Sequence, residues 1–305
     1  MTEAFRSGFV TLVGRPNVGK STLLNQLVGS KVAIVSDRPQ TTRAAIRGVR
    51  TTPTSQIVFI DTPGIHKPRT LLGERTNQRA VTTLEEVDVV CLLVEATAPI
   101  GRGDRFIADL VRQVDTPALL VVNKVDRASK HAVVEHLAAA AESLGDFDAY
   151  FPMSARTGEG TDALVAEIES RLPDGPRYYP DGIVTDQPET TLAAELVREK
   201  LLAVARDELP HSISVAVEEL EDEPDADHPD DPTDRVLRLR ADISVERESQ
   251  RGIVVGRGGR VLKDAGTAAR QELEALLGAR VYLETHVKVE RDWQRRAHAL
   301  DRLGY

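Results

Sequence analysis

Eight residues near the N-terminus, GRPNVGKS from Gly14 to Ser21, have the types and spacing of a phosphate cradle. Gly14 and Gly19 frame Arg15, Pro16, Asn17 and Val18, and Lys20 and Ser21 follow, with an apolar run before and helical spacing after. In such a loop successive backbone N–H groups turn inward around phosphate oxygens, next to the positive end of the following helix. Lys20 would neutralise the β/γ-phosphates, and the Ser21 hydroxyl would ligate Mg²⁺.

Three further strings follow in the order such a site needs. DTPG, Asp61-Thr62-Pro63-Gly64, ends an apolar run. Asp61 would hold a magnesium-bound water, and the Gly64 N–H would meet a γ-phosphate and report its presence. NKVD, Asn123-Lys124-Val125-Asp126, ends another run. The Asp126 carboxylate can accept from the N1–H and 2-amino groups of guanine; adenine has neither donor, which disfavours ATP. Asn123 and the Lys124 stem would brace the base, and Ser154-Ala155 would offer a backbone N–H to guanine O6. Together these imply a switch that binds GTP and GDP with Mg²⁺. PQTTR, Pro39 to Arg43, lies where the first switch belongs, and either Thr41 or Thr42 would close over Mg²⁺. Thr42 joins Lys20, Asp61 and Gly64 in the expected hydrolytic set. Ile65 stands where Ras-like switches carry a water-orienting glutamine, so slow intrinsic hydrolysis is expected. Asn17 would either help bind a monovalent cation such as K⁺ or cap the loop. His66 is a poor candidate for a base, since phosphoryl transfer relies mainly on positioning and charge.

A second glycine loop lies near the other end, in GIVVGRGGRVLKDAG from Gly252 to Gly266. No Gly-Lys-Ser/Thr follows it, and the surrounding elements are not a βαβ unit, so neither a second triphosphate site nor a dinucleotide fingerprint fits. A nucleic-acid backbone remains as the phosphate ligand. Gly256, Gly258 and Gly259 would allow close approach, with Arg251, Arg257, Arg260, Lys263 and Arg270 supplying charge. A G-x-x-G loop between helical segments beside an apolar strip and a sheet is how KH domains clamp single strands. Ile253, Val254, Val255, Val261 and Leu262 would line the groove, although Gly252 to Val255 taken alone reads as a short apolar strand.

The chain has 305 residues and a net charge of −9. That charge is concentrated: Glu218 to Asp234 holds ten acids and no Lys or Arg, and the rest of the chain stands at +1. From Arg235 onward fifteen basic residues face ten acidic ones, so a nucleic-acid partner is compatible with the overall acidity. The single cysteine, Cys91, excludes an intrachain disulfide and reads as a buried core residue. Scattered histidines without cysteine partners argue against zinc. With no secretory signal and no bilayer-length apolar run, a cytoplasmic location is expected.

These residues need strands to carry them. Phe9–Gly14, Gln56–Asp61, Val87–Ala96, Pro117–Asp126 and Tyr150–Ala155 are near-continuously apolar, as in a parallel sheet covered on both faces. Lys20–Val28, Ala132–Ser143 and Asp162–Leu172 have helical spacing between them. The expected fold is therefore a doubly wound, mostly parallel α/β P-loop domain over residues 1–172. Pro173 to Pro188, with four prolines and two glycines, reads as a linker over 173–189. A smaller α+β domain over 190–305 follows, in which LRLRADISVE alternates so that one sheet face is polar.

From about Phe9 to Tyr305 the chain resembles the Era family, bacterial GTPases of small-subunit ribosome assembly. The resemblance is carried by GRPNVGKSTLLNQLVG, PQTTR, DTPGIH, NKVD and SA, then by REKLL, ELPHSISVAVE, RESQRGIVVGRGGRVLKDAG, VKVERDWQ and LGY. It implies a KH domain of the second topological type, binding to the 3′ end of 16S rRNA on the 30S subunit, and GTP-gated access to that RNA. It also implies peripheral membrane association at the inner face of the cell membrane, which no residue here would suggest. Ile65 agrees with the family; the acidic run at 218–234 departs from it. A monomer is expected. The alternative from another class is a regulatory GTPase acting through a protein partner, with the second domain as an adaptor. A tRNA-modification GTPase would need a helical insertion and a C-terminal catalytic cysteine, and a double-G-domain factor a second NKVD.

Overall fold

Alternation within the apolar strands decides which helices each side chain meets. The computed structural model describes residues 4–35, 45–65, 68, 70–204, 212–220, 236–303 and 305, and the chain divides into two units, one ending at Asp186 and one running from Gln187. The first is built on strands β1 (Arg6–Gly14), β2 (Ile46–Thr51), β3 (Ser55–Asp61), β4 (Val89–Glu95), β5 (Ala118–Asn123) and β6 (Ala149–Pro152). Their order is β2-β3-β1-β4-β5-β6, with β2 antiparallel to β3 and every other pair parallel. Leu12, Cys91 and Leu93 pack with Leu23, Leu24 and Leu27 of α1 (Lys20–Val28) and with Leu164 and Ile168 of α5 (Thr161–Arg171). Val13, Val90, Leu92 and Val94 point the other way, onto α2 (Leu71–Glu85), α3 (Arg102–Val111) and α4 (Lys130–Leu144). Both faces are covered, hence the continuous apolar runs. Burial pushes the Cys91 thiol up to about 12, so it is an inert core group.

Three elements of this unit, β2, α2 and α3, were not among those expected from sequence. β2 is an edge strand with Arg47 exposed. In α2 the buried positions Leu72, Thr76, Ala80 and Leu84 recur every fourth residue, but two are not strongly apolar.

The proline-rich segment is laid along the first unit as far as Asp186. Ser7 N–H donates to Pro173 O at 3.1 Å, and Ser7 Oγ to Pro176 O at 2.6 Å. The fully buried Gln56 amide accepts from Tyr178 N and Tyr179 N at 2.7 and 3.0 Å and donates to Tyr179 O at 2.9 Å. Val49 N–H donates to Val184 O at 2.8 Å, and Arg47 pairs with Asp186 at 3.0 Å. Composition alone marks such a stretch as irregular; the partners that fix it come from β1, β2 and β3.

The second unit has the order α6 (Glu189–Val204), β7 (Ser214–Glu219), β8 (Val236–Val245), α7 (Glu248–Val255), α8 (Arg260–Leu277), β9 (Arg280–Val289) and α9 (Ala297–Arg302). β8 lies between antiparallel β7 and parallel β9. Leu237, Leu239, Ala241 and Ile243 face the helices, meeting Leu196 and Val197 of α6 and Ala265, Ala269 and Leu273 of α8. The opposite face is polar as expected: Lys288 pairs with Asp242 at 2.9 Å, and Arg238 lies over the Tyr282 ring at 5.8 Å. Gly252 to Val255 is the last turn of α7 and not a strand. The Gln250 side chain accepts from the N–H groups of Glu246 and Arg247 at 2.9 and 3.0 Å and fixes the helix start; of the four residues only Val254 is buried. A β-branched run favours a strand only when a sheet is there to receive it. No helix among the described residues is long and apolar enough to cross a membrane.

Candidate functional site

Gly14, the end of β1, opens the phosphate loop, and Lys20 opens α1. Lys20 is 6% exposed, and its Nζ donates to Gly14 O at 3.1 Å and Arg15 O at 3.2 Å. Burial pushes its ammonium below the ordinary lysine value, and the Asp61 carboxylate opposes that shift. A buried cation held by neutral carbonyls is poised for an anion. Ser21 Oγ donates to Asp61 Oδ2 at 2.6 Å, so the hydroxyl and carboxylate expected at magnesium lie together at the end of β3. Hard oxygen donors of this kind fit Mg²⁺, which keeps most of its own waters.

The expected γ-phosphate sensor lies against the loop. A Cβ on Gly64 would come within 2.9 Å of Pro16 N, so only glycine allows this approach. Thr62 Oγ1 donates to Leu12 O at 2.9 Å and fixes the chain just before it. Ile65 is 3% exposed and packs with Val13 and Ala80, so it offers no hydrogen bond to a water. Thr41, Thr42 and His66 lie outside the described residues, as does most of the acidic run.

NKVD and SA converge at the ends of β5 and β6. Asn123 bridges three segments: Nδ2 donates to Val18 O at 2.8 Å, and Oδ1 accepts from Ala155 N at 2.9 Å. Of the two N–H groups of Ser154-Ala155 offered to guanine O6, that of Ala155 thus already has an acceptor, which a base would have to share or replace. Ser154 N–H donates to Glu159 O at 2.9 Å. Lys124, with φ 68°, donates to Asn17 O at 2.7 Å and pairs with Glu95 at 2.8 Å. Burial works against the Glu95 carboxylate, but Lys124 and the Thr97 hydroxyl outweigh it and hold its pKa below the usual range. Asp126 accepts from Ser154 Oγ at 2.7 Å, which aims the carboxylate. The Ser154 side chain is therefore a positioning group that the SA string alone does not reveal.

The second loop joins α7 to α8. Gly256 has φ 73°, and a Cβ on it would meet Val261 Cγ2 at 2.5 Å, so this glycine is required by packing. Gly258 has φ 61°, and a Cβ there would meet nothing, so it faces open space. Arg251, Arg257, Arg260 and Lys263 are all exposed around it. Arg251 and Arg260 approach Glu248 and Asp264 at 3.6 Å, whereas Arg257 and Lys263 have no ion-pair partner among the described residues. Beside the loop runs a groove of about 340 Å³ lined by Gly259, Leu262, Lys263, Gly266, Thr267, Arg270, Leu283 and Thr285. Leu262 lines it as expected. Val254 is buried in the core instead, and the far wall comes from β9, which spacing around the loop could not show.

Known proteins share both halves of this arrangement. A family of 50S ribosome-binding GTPases matches residues 9–124, and a KH domain family matches residues 208–294. GTPase Era of Mycobacterium sp. strain JLS is 49% identical over 303 residues, 99% of each chain. The chain belongs to the Era GTPase family. Era of Mycobacterium tuberculosis strain H37Ra is 48% identical over the whole of both chains. Among solved structures, a variant Era of Aquifex aeolicus bound to GDP·AlF4⁻ superposes with a TM-score of 0.92 at 38% identity, over 99% of each chain. An Era in complex with MgGDPNP and nucleotides 1506–1542 of 16S ribosomal RNA matches equally well, with TM-score 0.92, 38% identity and 99% coverage of both chains. The expected fold, a P-loop GTPase domain followed by a KH domain, is thus the family's, and so is Era-type GTPase activity.

Proposed function

We propose that this chain hydrolyses GTP as a switch, binds the 3′ end of 16S rRNA through its glycine loop, and acts in maturation of the small ribosomal subunit. Lys20, Ser21, Asp61 and Gly64 serve the phosphates and Mg²⁺, with Thr42 from the first switch. Asp126, aimed by Ser154, reads guanine, while Asn123 and Lys124 hold the surrounding loops. Arg257 and Lys263 meet the RNA backbone where Gly258 lets it approach, and bases lie in the groove between α8 and β9. The functional division falls at the proline-rich segment, whose first part packs on the nucleotide unit. One observation carries the reading: the NKVD carboxylate of Asp126, held at 2.7 Å by Ser154, and an open, cationic G-x-x-G loop occur on one chain. The relative that holds MgGDPNP and a 16S fragment together supports it.

Fluorescence anisotropy of a labelled RNA carrying that 3′ end tests the proposal, with GDP and with a non-hydrolysable GTP analogue. Tighter binding in one nucleotide state is expected. Equal affinity in both would remove the switch, since a ligand that does not discriminate between states shifts nothing.

A further inference from the structure

Arg15 faces two ways. Its carbonyl oxygen accepts from Lys20 Nζ at 3.2 Å, and its Nε donates to Asp104 Oδ1 at 2.7 Å. Asp104 lies in the first turn of α3 with its side chain only 1% exposed, and its Oδ2 accepts the Gly101 N–H at 2.8 Å. Both carboxylate oxygens are thus engaged, one by the helix cap and one by the phosphate loop. The Arg15 stem crosses Gly103 so closely that a Cβ there would lie 2.8 Å from Arg15 Cδ. The next two residues are held as well, Pro16 against Gly64 and Asn17 by Lys124. The loop segment that supplies the acceptors of Lys20 is therefore clamped to α3 by one ion pair, between residues 89 apart in sequence.

We propose that Asp104 is a positioning residue of the nucleotide site. Through Arg15 it fixes the carbonyls that hold Lys20 in place for the phosphates, and so sets how fast nucleotide leaves. The inference rests on the guanine-nucleotide reading, which binding of mant-GDP to the unaltered chain tests by itself. A plain helix cap is the simpler assignment for Asp104. Asp104→Asn separates the two, because an amide oxygen keeps the Gly101 contact while the charge that holds Arg15 is gone.

The experiment is stopped-flow dissociation of mant-GDP from the full chain, for Arg15→Ala, Asp104→Asn and the double variant, with melting temperatures alongside. Each single change is expected to speed release about tenfold, the scale of one lost charge-assisted hydrogen bond. The double variant should be no faster than the singles, because all three break the same link. KM for GTP should rise by a similar factor while kcat moves less. Arg15→Met, which keeps the stem over Gly103 and deletes the guanidinium while leaving the Gly101 cap in place, reads the same quantity should the Asn variant fold poorly. Unchanged release in Asp104→Asn, whatever its melting temperature, would make Asp104 a cap only and overturn the inference. Multiplying effects in the double variant would overturn it too, assigning Arg15 to the phosphates independently of α3.

Discussion

Asp126→Asn isolates the group proposed to select the base. The carboxylate is 14% exposed, and Ser154 Oγ donates to its Oδ1 at 2.7 Å. In the variant Ser154 keeps an acceptor only if the amide oxygen stays at that position, so the new NH₂ group is turned toward the base. Guanine then loses two hydrogen bonds to a charged acceptor, worth about 1.5 kcal/mol each at the low end, and meets a donor with its own donors. Affinity for GDP should fall on the order of 10²-fold or more, at about 1.4 kcal/mol per factor of ten. Xanthine carries an oxygen in place of the 2-amino group, so xanthosine diphosphate should bind the variant better than GDP does. Titration of the variant and the unaltered chain with both mant-labelled nucleotides measures this. An equal loss for both bases would mean that the site had collapsed, and unchanged GDP affinity would mean that Asp126 does not face the base.

Gly64→Ala forces a Cβ to within 2.9 Å of Pro16 N, so GTP turnover should fall on the order of 10²-fold, as when one donor to a developing charge is lost, with GDP affinity largely kept. Single-turnover hydrolysis beside GDP titration checks it. Lys20 starts from a lowered pKa that bound phosphates would raise. Affinity should be flat below the free-state pKa and then fall as pH rises, by up to about tenfold per unit, as binding must take up a proton; affinity that rises with pH on the alkaline side would contradict this. Stability of the free protein runs the other way: unfolded Lys20 holds its proton to the ordinary pKa, so stability rises with pH between the two values. Gln56→Ala leaves the Tyr178 and Tyr179 N–H groups and the Tyr179 carbonyl without their buried partner, at a cost of about 3 kcal/mol. Urea unfolding should show that loss together with faster proteolysis between residues 174 and 186.

The nucleotide site was legible because each part is a short string ending an apolar strand, and parallel strands deliver such ends to one rim of the sheet. Sequence also placed the second loop, since three glycines among arginines have few other uses. What it could not show were partners distant along the chain. Nothing about Asp104 distinguishes it from any acid opening a helix until Arg15 is seen beside it. Leu283 and Thr285 look like ordinary β9 residues until the parallel pairing with β8 brings them to the groove. Gln56, a polar residue in an apolar run, was the one local sign that the proline-rich segment packs on the sheet. The strand reading of Gly252–Val255 failed because β-branching reports local preference, whereas the Gln250 cap and the single buried valine decide for helix.

Coupling between the nucleotide site and the second loop is tested most directly by GTP turnover at fixed potassium and magnesium, with and without a short RNA carrying the 3′ end of 16S rRNA, in the unaltered chain and in Gly258→Asp. Gly258 has φ 61° and faces open space, so the new carboxylate would project into the path proposed for the RNA backbone. RNA is expected to accelerate turnover in the unaltered chain and not in Gly258→Asp, while turnover without RNA is unchanged. Equal turnover with and without bound RNA in the unaltered chain would contradict that coupling and leave the second unit as a tether.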